Sequence, residues 1–314
     1  MNIKMKEFKN YNSSNDNNLL FILPINTIDE TALNEICYSL SEQGESIDLL
    51  VLVNGNLSIP TLDEILKSPS VKRVEKDQEK EEPVVLNGTN KINYIINITD
   101  QDSFGKVFNE GFNYAIANNY KWFVFCEHDD IFSKNWLKYF KMFSETNTEY
   151  DGFLPLTKET APIGFSGFMN EACWVDGMAE VAGVFDLNLL LKFNCMNITG
   201  TALKTESVKQ YSEEIEGYYK PIKESIKINY LYEFFLRMIY NDLKLYTIPR
   251  IGYDHRINKS AEKLDYFNSK MPSNFGQIPV EKGGITQEEY KFWMELSKKE
   301  YFFDNDRSKI YQAS

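Results

Sequence analysis

The chain has 314 residues, 43% hydrophobic and 25% charged, enough apolar side chain for one large α/β domain or two smaller ones, and too much for a disordered chain, a collagen-like repeat or a coiled-coil rod. Acidic residues outnumber basic ones 46 to 34, and the formal charge of −12 speaks against a nucleic-acid backbone or an anionic membrane surface as the main partner. No apolar run approaches the roughly 18 residues that cross a bilayer, and residues 1–18 are polar and Asn-rich, so neither a transmembrane segment nor a secretory signal is expected and the reading is cytoplasmic, compatible with a place at a membrane periphery.

Leu19 to Ile25 is a continuous apolar run followed by Asn26 and Thr27, the pattern of a buried parallel strand that ends in a loop. Leu33, Ile36, Cys37 and Leu40 then recur at helical spacing until Gly44 supplies a stop, with Thr27 or Asp29 as cap. Ile47 to Val53 is a second apolar strand that breaks at Asn54-Gly55-Asn56. Strand, helix and strand in this order make a βαβ unit with a right-handed crossover. The charged run from Lys72 to Glu82, closed by Pro83, reads as a solvated loop. Ile92 to Ile98 predicts a third strand ending at Thr99-Asp100, and Val107, Phe108, Phe112, Ala115 and Ile116 mark a helix.

Lys121 to Cys126 predicts a fourth strand, buried on both faces. Directly after it stand Glu127, His128, Asp129 and Asp130, three acids and one of only two histidines in the chain. Such residues at the carboxyl edge of a central strand lie where open α/β sheets bind ligands. Glu127 and Asp129, one residue apart, would repel each other unless a cation joined them. Hard oxygen ligands suit Mg²⁺ or Mn²⁺, which complete their shells with water and phosphate oxygens, so a nucleotide diphosphate is implied. The competing reading is that the acids cap a helix predicted over Ser133 to Phe143; residue types alone leave both open.

From about Tyr150 to Asp254 the sequence mixes Gly-rich loops with helical stretches. Leu231 to Leu243 is apolar on nearly every face and reads as a buried helix, and the sheet is expected to resume over Leu245 to Pro249. Thr286 and Glu289 form a capping-box pair for a last helix reaching about Tyr301, whose Tyr290, Trp293, Met294 and Tyr301 could face the domain, a partner chain or lipid. Cys37, Cys126, Cys173 and Cys195 lack any Cys-x-x-Cys pairing, which suits neither a zinc ribbon nor a disulfide framework, and are read as reduced buried thiols.

Asn109-Glu110-Gly111-Phe112-Asn113-Tyr114-Ala115, followed by Trp122-Phe-Val-Phe-Cys-Glu-His-Asp-Asp130, resembles the GT-A fold glycosyltransferases of the family 2 type, in which an Asn-x-Gly helix precedes a strand ending in Asp-x-Asp. The resemblance covers roughly residues 19–260. It implies a mixed, mostly parallel α/β sheet flanked by helices, divided into a polar arm (1–18), a nucleotide-sugar-binding half (19–130), an acceptor-binding half of the same domain (131–260) and a helical C-terminal extension (261–314).

On that resemblance, Glu127 and Asp129 occupy the two acidic motif positions, Glu reaching one methylene further than the usual Asp. Gly252-Tyr253-Asp254-His255-Arg256 stands where the family carries a His-Arg element, so His255 is implied as third metal ligand or diphosphate contact, and a loop of Arg256, Asn258, Lys259 and Ser260 as a cover for the phosphates. Pro24, Asn26, Asn54, Asp100 and Lys106 match nucleotide-contacting positions, although Asn54 replaces the usual Asp and Lys106 stands in for an Arg. The implied activity is metal-dependent, inverting sugar transfer from a nucleotide diphosphate, UDP favoured, to a glycan, lipid-linked or protein acceptor in polysaccharide biosynthesis.

Inversion needs a base to take the acceptor's proton. The family's acidic residue falls at Leu231 here, which leaves Glu224, Asp176 and Glu233 as candidates in that order; for Glu233 an ion pair with Arg237 at i,i+4 spacing is the alternative. Trp174 and Met178 could floor a sugar ring or pack in the core. The replaced acid at 231 also admits a non-catalytic nucleotide-sugar or glycan-binding module on the same fold. A sugar-phosphate nucleotidyltransferase is disfavoured because residues 24–35 contain no Gly, Lys or Arg for a phosphate loop.

Overall fold

The computed structural model describes residues 18–25, 30–54, 74–76, 83–85, 92–99, 104–161, 164–174, 179–192, 199–223 and 230–256. The N-terminal arm, the C-terminal extension with its capping-box helix, and Cys195 lie outside them.

The first half forms as its sequence pattern dictates. β1 (Leu19–Ile25), β2 (Ile47–Asn54), β5 (Ile92–Thr99) and β6 (Trp122–Phe125) are parallel, with α1 (Glu30–Ser41) between β1 and β2 and α2 (Phe104–Ala117) before β6. Side chains alternate across a strand, so a strand covered on both faces must be apolar throughout. Leu20, Ile22, Leu50, Leu52, Phe123 and Phe125 enter one core with Phe108 and Phe112 of α2. Phe21, Leu23, Leu49, Val51, Trp122 and Val124 enter the other with Leu33, Ile36 and Leu40 of α1. The charged run read as a loop instead contains β3 (Val74–Lys76), paired antiparallel with β4 (Pro83–Val85) as a separate two-stranded ribbon.

The second half contains more strand than its sequence suggests. After β6 come β7 (Ile131–Phe132), α3 (Trp136–Thr146), β8 (Gly152–Ala161), β9 (Gly164–Met169), β10 (Val184–Phe185), α4 (Leu187–Lys192), β11 (Ala202–Lys204) and α5 (Thr205–Gln210). The hairpin β12 (Glu213–Ile215) and β13 (Tyr218–Lys220), then α6 (Tyr230–Tyr240) and β14 (Leu245–Arg256), complete the described chain. The ten-stranded sheet runs β10-β14-β8-β11-β6-β1-β2-β5, with β7 on β14 and β9 on β8. Only β7, β9, β10 and β11 oppose their neighbours, so the sheet is mixed and mostly parallel.

β14 does not stop at Pro249. Register shifts between Ile248 and Ile251 and between Ile251 and Tyr253 absorb Pro249, Arg250 and Gly252, and pairing with β8 resumes as far as Arg256. A bulge removes the need for a ladder N–H that Pro lacks, and it bends the strand. His255 and Arg256 therefore sit on a strand end instead of in a loop beyond the last strand.

The Asn-x-Gly helix has a mechanical task. Asn109 is fully buried and clamps Ile222, accepting from its N–H and donating to its C=O at 2.9 Å each. One turn on, Asn113 does the same to Tyr219 at 2.8 and 2.7 Å. Gly111 lets α2 lie against β1, since a Cβ there would stand 2.7 Å from Ile22 Cγ2. Cys37, Cys126 and Cys173 are buried thiols outside any disulfide, as expected, and burial pushes the Cys173 thiol up to about 12. Asn109→Ala leaves both backbone groups of Ile222 without their partners and is expected to lower the unfolding free energy by about 3 kcal/mol in urea denaturation; a loss below about 0.5 kcal/mol would show that the clamp is dispensable.

Candidate active site

β1 lies between β2 and β6, so the chain winds outward through β2 and β5 and then returns to the other side of β1. The strand order therefore reverses at β1, and the carboxyl ends of the strands at such a switch point are where open α/β sheets bind ligands. Cys126 continues β6 by donating to Ile22 O at 2.9 Å, and Gly200 donates to Phe125 O at 2.8 Å. Beyond that point the chain turns.

The turn decides which acids meet. Asp130 N–H donates to Glu127 O at 3.2 Å, so residues three apart, not two apart as along an extended strand, face the same side. The ligand atoms of Glu127, Asp130 and His255 all lie within 4.8 Å of one another, and among the described residues no other group of three acids, histidines or cysteines does so. Asp129, expected as the second acid, is buried next to them, but its carboxylate is not part of that group. Asp130, 0% exposed, accepts Arg256 N–H on Oδ1 at 2.8 Å and contacts His255 Nδ1 through Oδ2 at 3.0 Å. Glu127 Oε2 stands 3.9 Å from the same nitrogen, on the most open side chain of the three.

A second set of residues, invisible as motifs, holds this turn. Ile131 and Phe132 of β7 pair with Asp254 and Tyr253. The buried Ser39 hydroxyl of α1 accepts Phe132 N–H at 3.1 Å. Gln43 donates to Ser133 O at 2.8 Å and accepts Leu137 N–H at 3.0 Å. That last bond caps α3 from a distance, and α3 begins at Trp136 with no cap from its own Asn135 side chain. The acidic run is therefore not the cap of the following helix. Tyr253 is fully buried, accepts Glu127 N–H at 3.2 Å and meets Phe132 edge-on with ring centroids 4.8 Å apart. Burial, reinforced by Asp130, pushes its hydroxyl well above the ordinary tyrosine range, so it stays neutral. Gly200, at φ +82°, passes against this ring where a Cβ would come within 2.8 Å.

The remaining expected residues divide. Pro24 is a buried strand residue opposite Leu52, and Asn54 is the last residue of β2, opposite Thr99. Lys106 is half-buried in the first turn of α2. The guanidinium of Arg256 pairs with Glu35 of α1. Asn26, Asp100, Asp176, Met178, Glu224, Asn258, Lys259 and Ser260 lie outside the described residues. Trp174 donates from its indole to Thr247 O at 3.2 Å and packs edge-on against Tyr246. Thr247 faces Leu154 and His255 faces Glu159 along β8, so this indole bonds to the strand on the order of 15 Å from the acidic turn, as core packing requires.

Glu233 is 2% exposed and bound to Arg237 Nε at 2.9 Å, while Arg237 also donates to Pro221 O at 2.6 Å. Lys223 Nζ approaches the same carboxylate to 4.0 Å. The i,i+4 ion pair is present, and it ties α6 to the segment that Asn109 clamps. Leu231 is buried beside it in the core.

The fold is similar to that of Staphylococcus aureus TarS. Staphylococcus aureus TarS residues 1–349 with UDP-GlcNAc superpose with a TM-score of 0.52 at 13% identity, covering 93% of this chain and 74% of that one. The UDP complex gives 0.51 at 14%, over 93% and 73%. A longer TarS structure gives 0.52 at 14%, over 91% of this chain, which spans only 44% of its length. No family model and no curated protein sequence matches this chain.

If Glu233 serves the fold, Glu233→Ala leaves Arg237 without its buried partner and lowers stability by about 3–5 kcal/mol, visible as a large fall in melting temperature. A stable Glu233→Ala protein that had lost only turnover would instead return this residue to the chemistry.

Proposed function

We propose that the chain is a metal-dependent, inverting glycosyltransferase that moves a sugar from a nucleotide diphosphate, a UDP-sugar by preference, to a hydroxyl of a glycan, lipid-linked or protein acceptor. The observation that carries this reading is the Glu127–Asp130–His255 group at the switch point of a GT-A-like sheet. The UDP and UDP-GlcNAc complexes of TarS favour uridine.

Two carboxylates and an imidazole within 4.8 Å fit Mn²⁺ or Mg²⁺, which favour oxygen donors and accept a nitrogen. Glu127 and His255 would hold the cation, with Asp129 or Asp130 adjoining, and when bound it would supply positive charge to a diphosphate leaving group. The chain's own residues do the rest. Pro24, Asn26, Asn54, Asp100 and Lys106, which match nucleotide-contacting positions by resemblance, are assigned to the nucleoside and its phosphates. Arg256, beside His255, offers further charge to the diphosphate if it exchanges Glu35 for phosphate oxygen. The base belongs to an acid outside the core ion pairs, Glu224 first and Asp176 second, which would take the proton of the attacking hydroxyl.

Leu231 in place of an acid, and Glu233 tied to Arg237, favour one other reading, a nucleotide-sugar-binding module without turnover. Thermal shift separates the possibilities. UDP or a UDP-sugar should raise the melting temperature only with Mn²⁺ present, and Glu127→Ala should abolish the rise. Stabilisation that ignores the metal and survives Glu127→Ala contradicts the site. Stabilisation without any hydrolysis or transfer by the wild-type chain supports the binding module.

A further inference from the structure

The three members of the acidic turn are not equivalent. Asp130 is completely buried, and both of its oxygens are engaged, Oδ1 by the Arg256 backbone N–H at 2.8 Å and Oδ2 by His255 Nδ1 at 3.0 Å. A carboxylate only accepts hydrogen bonds, and a backbone N–H only donates. The imidazole must therefore present a proton on Nδ1, and in the neutral ring the lone pair then resides on Nε2. The orientation is fixed twice over, because His255 and Arg256 are adjacent on β14 and one carboxylate grips both.

From this geometry we propose that Asp130 is a positioning residue: it sets the Nδ1–H tautomer and the ring orientation of His255, so that a divalent cation or a diphosphate bound by this ring would be met through Nε2. Ligating imidazoles are commonly held from behind by a carboxylate in this way, and loss of such a partner costs about 10- to 100-fold in metal affinity. The inference rests on the metal-site reading given above, but its first half, the tautomer, stands without any metal.

The isosteric substitution Asp130→Asn isolates the effect. An amide has one acceptor oxygen and one donor nitrogen at the same two places. With its oxygen accepting Arg256 N–H, the amide nitrogen must donate to His255 Nδ1, and the ring is driven to the Nε2–H tautomer. The opposite amide orientation would set two donors against each other at Arg256.

The chain contains two histidines, so ¹⁵N-detected imidazole spectra of the full chain, with His128→Gln used for assignment, read the tautomer of His255 directly. Spectra are taken without metal at about pH 8.5, where an ordinary imidazole is neutral. The expected result is Nδ1–H in the wild type and Nε2–H in Asp130→Asn, with Mn²⁺ affinity, measured by calorimetry on the metal alone, reduced at least 10-fold. Nε2–H in the wild type, or an unchanged tautomer in a folded Asp130→Asn, overturns the proposal. If the variant does not fold, the wild-type spectrum alone decides. A tautomer that switches in a protein that binds no Mn²⁺ upholds the positioning role and overturns the metal site.

Discussion

The end of β6 and the end of β14 are joined by one buried carboxylate. β8 and β11 separate these strands in the sheet, yet Asp130 bonds to two consecutive residues of β14. Burying a carboxylate is costly unless its oxygens are satisfied by donors. Here a backbone N–H and an imidazole meet it, and that requirement dictates the local architecture. β14 has to bend through its bulges, β7 has to pair with Tyr253 and Asp254, Ser39 of α1 has to hold β7, and Gln43, just beyond α1, has to hold the start of α3. Remove the need to satisfy Asp130, and little in the sequence explains why a strand containing Pro249 should continue to Arg256.

A second constraint acts on the opposite core. Asn109 and Asn113 of α2 and Arg237 of α6 all bond to backbone between Tyr211 and Ile222. A motif that resembles part of a sugar-transfer site thus works here as a clamp, and Glu233 completes it by holding Arg237. Polar residues used this way are consumed by the fold. The acid closest to the expected position of the base is thus held in an ion pair of the core.

The first half of the fold was legible because β1, β2 and β6 are buried on both faces and read as mainly apolar runs. β8 was not, since Pro155 and the polar stretch from Thr157 to Thr160 break its pattern; its pairing with β14 is a tertiary event. The place of the acidic turn was legible for the same reason as the strand before it: four polar residues after Phe125 and Cys126 fall at a sheet edge. Which of its acids cluster with His255 was not. Extended-chain reasoning pairs Glu127 with Asp129, and a turn closed by Asp130 N–H brings Asp130 to His255. Nothing in the residue types from 127 to 130 distinguishes those two geometries; the distant strand end carrying His255 and Arg256 does.

The described helices include none long and apolar enough to cross a membrane, and the proposed chemistry lies at the turn that ends β6. Its most direct test is anomalous diffraction from crystals grown with Mn²⁺ and UDP. The account predicts a manganese peak within bonding distance of the Glu127 carboxylate and a His255 ring nitrogen, with the diphosphate completing its coordination. Nucleotide bound elsewhere, or no peak between Glu127 and His255, would contradict it.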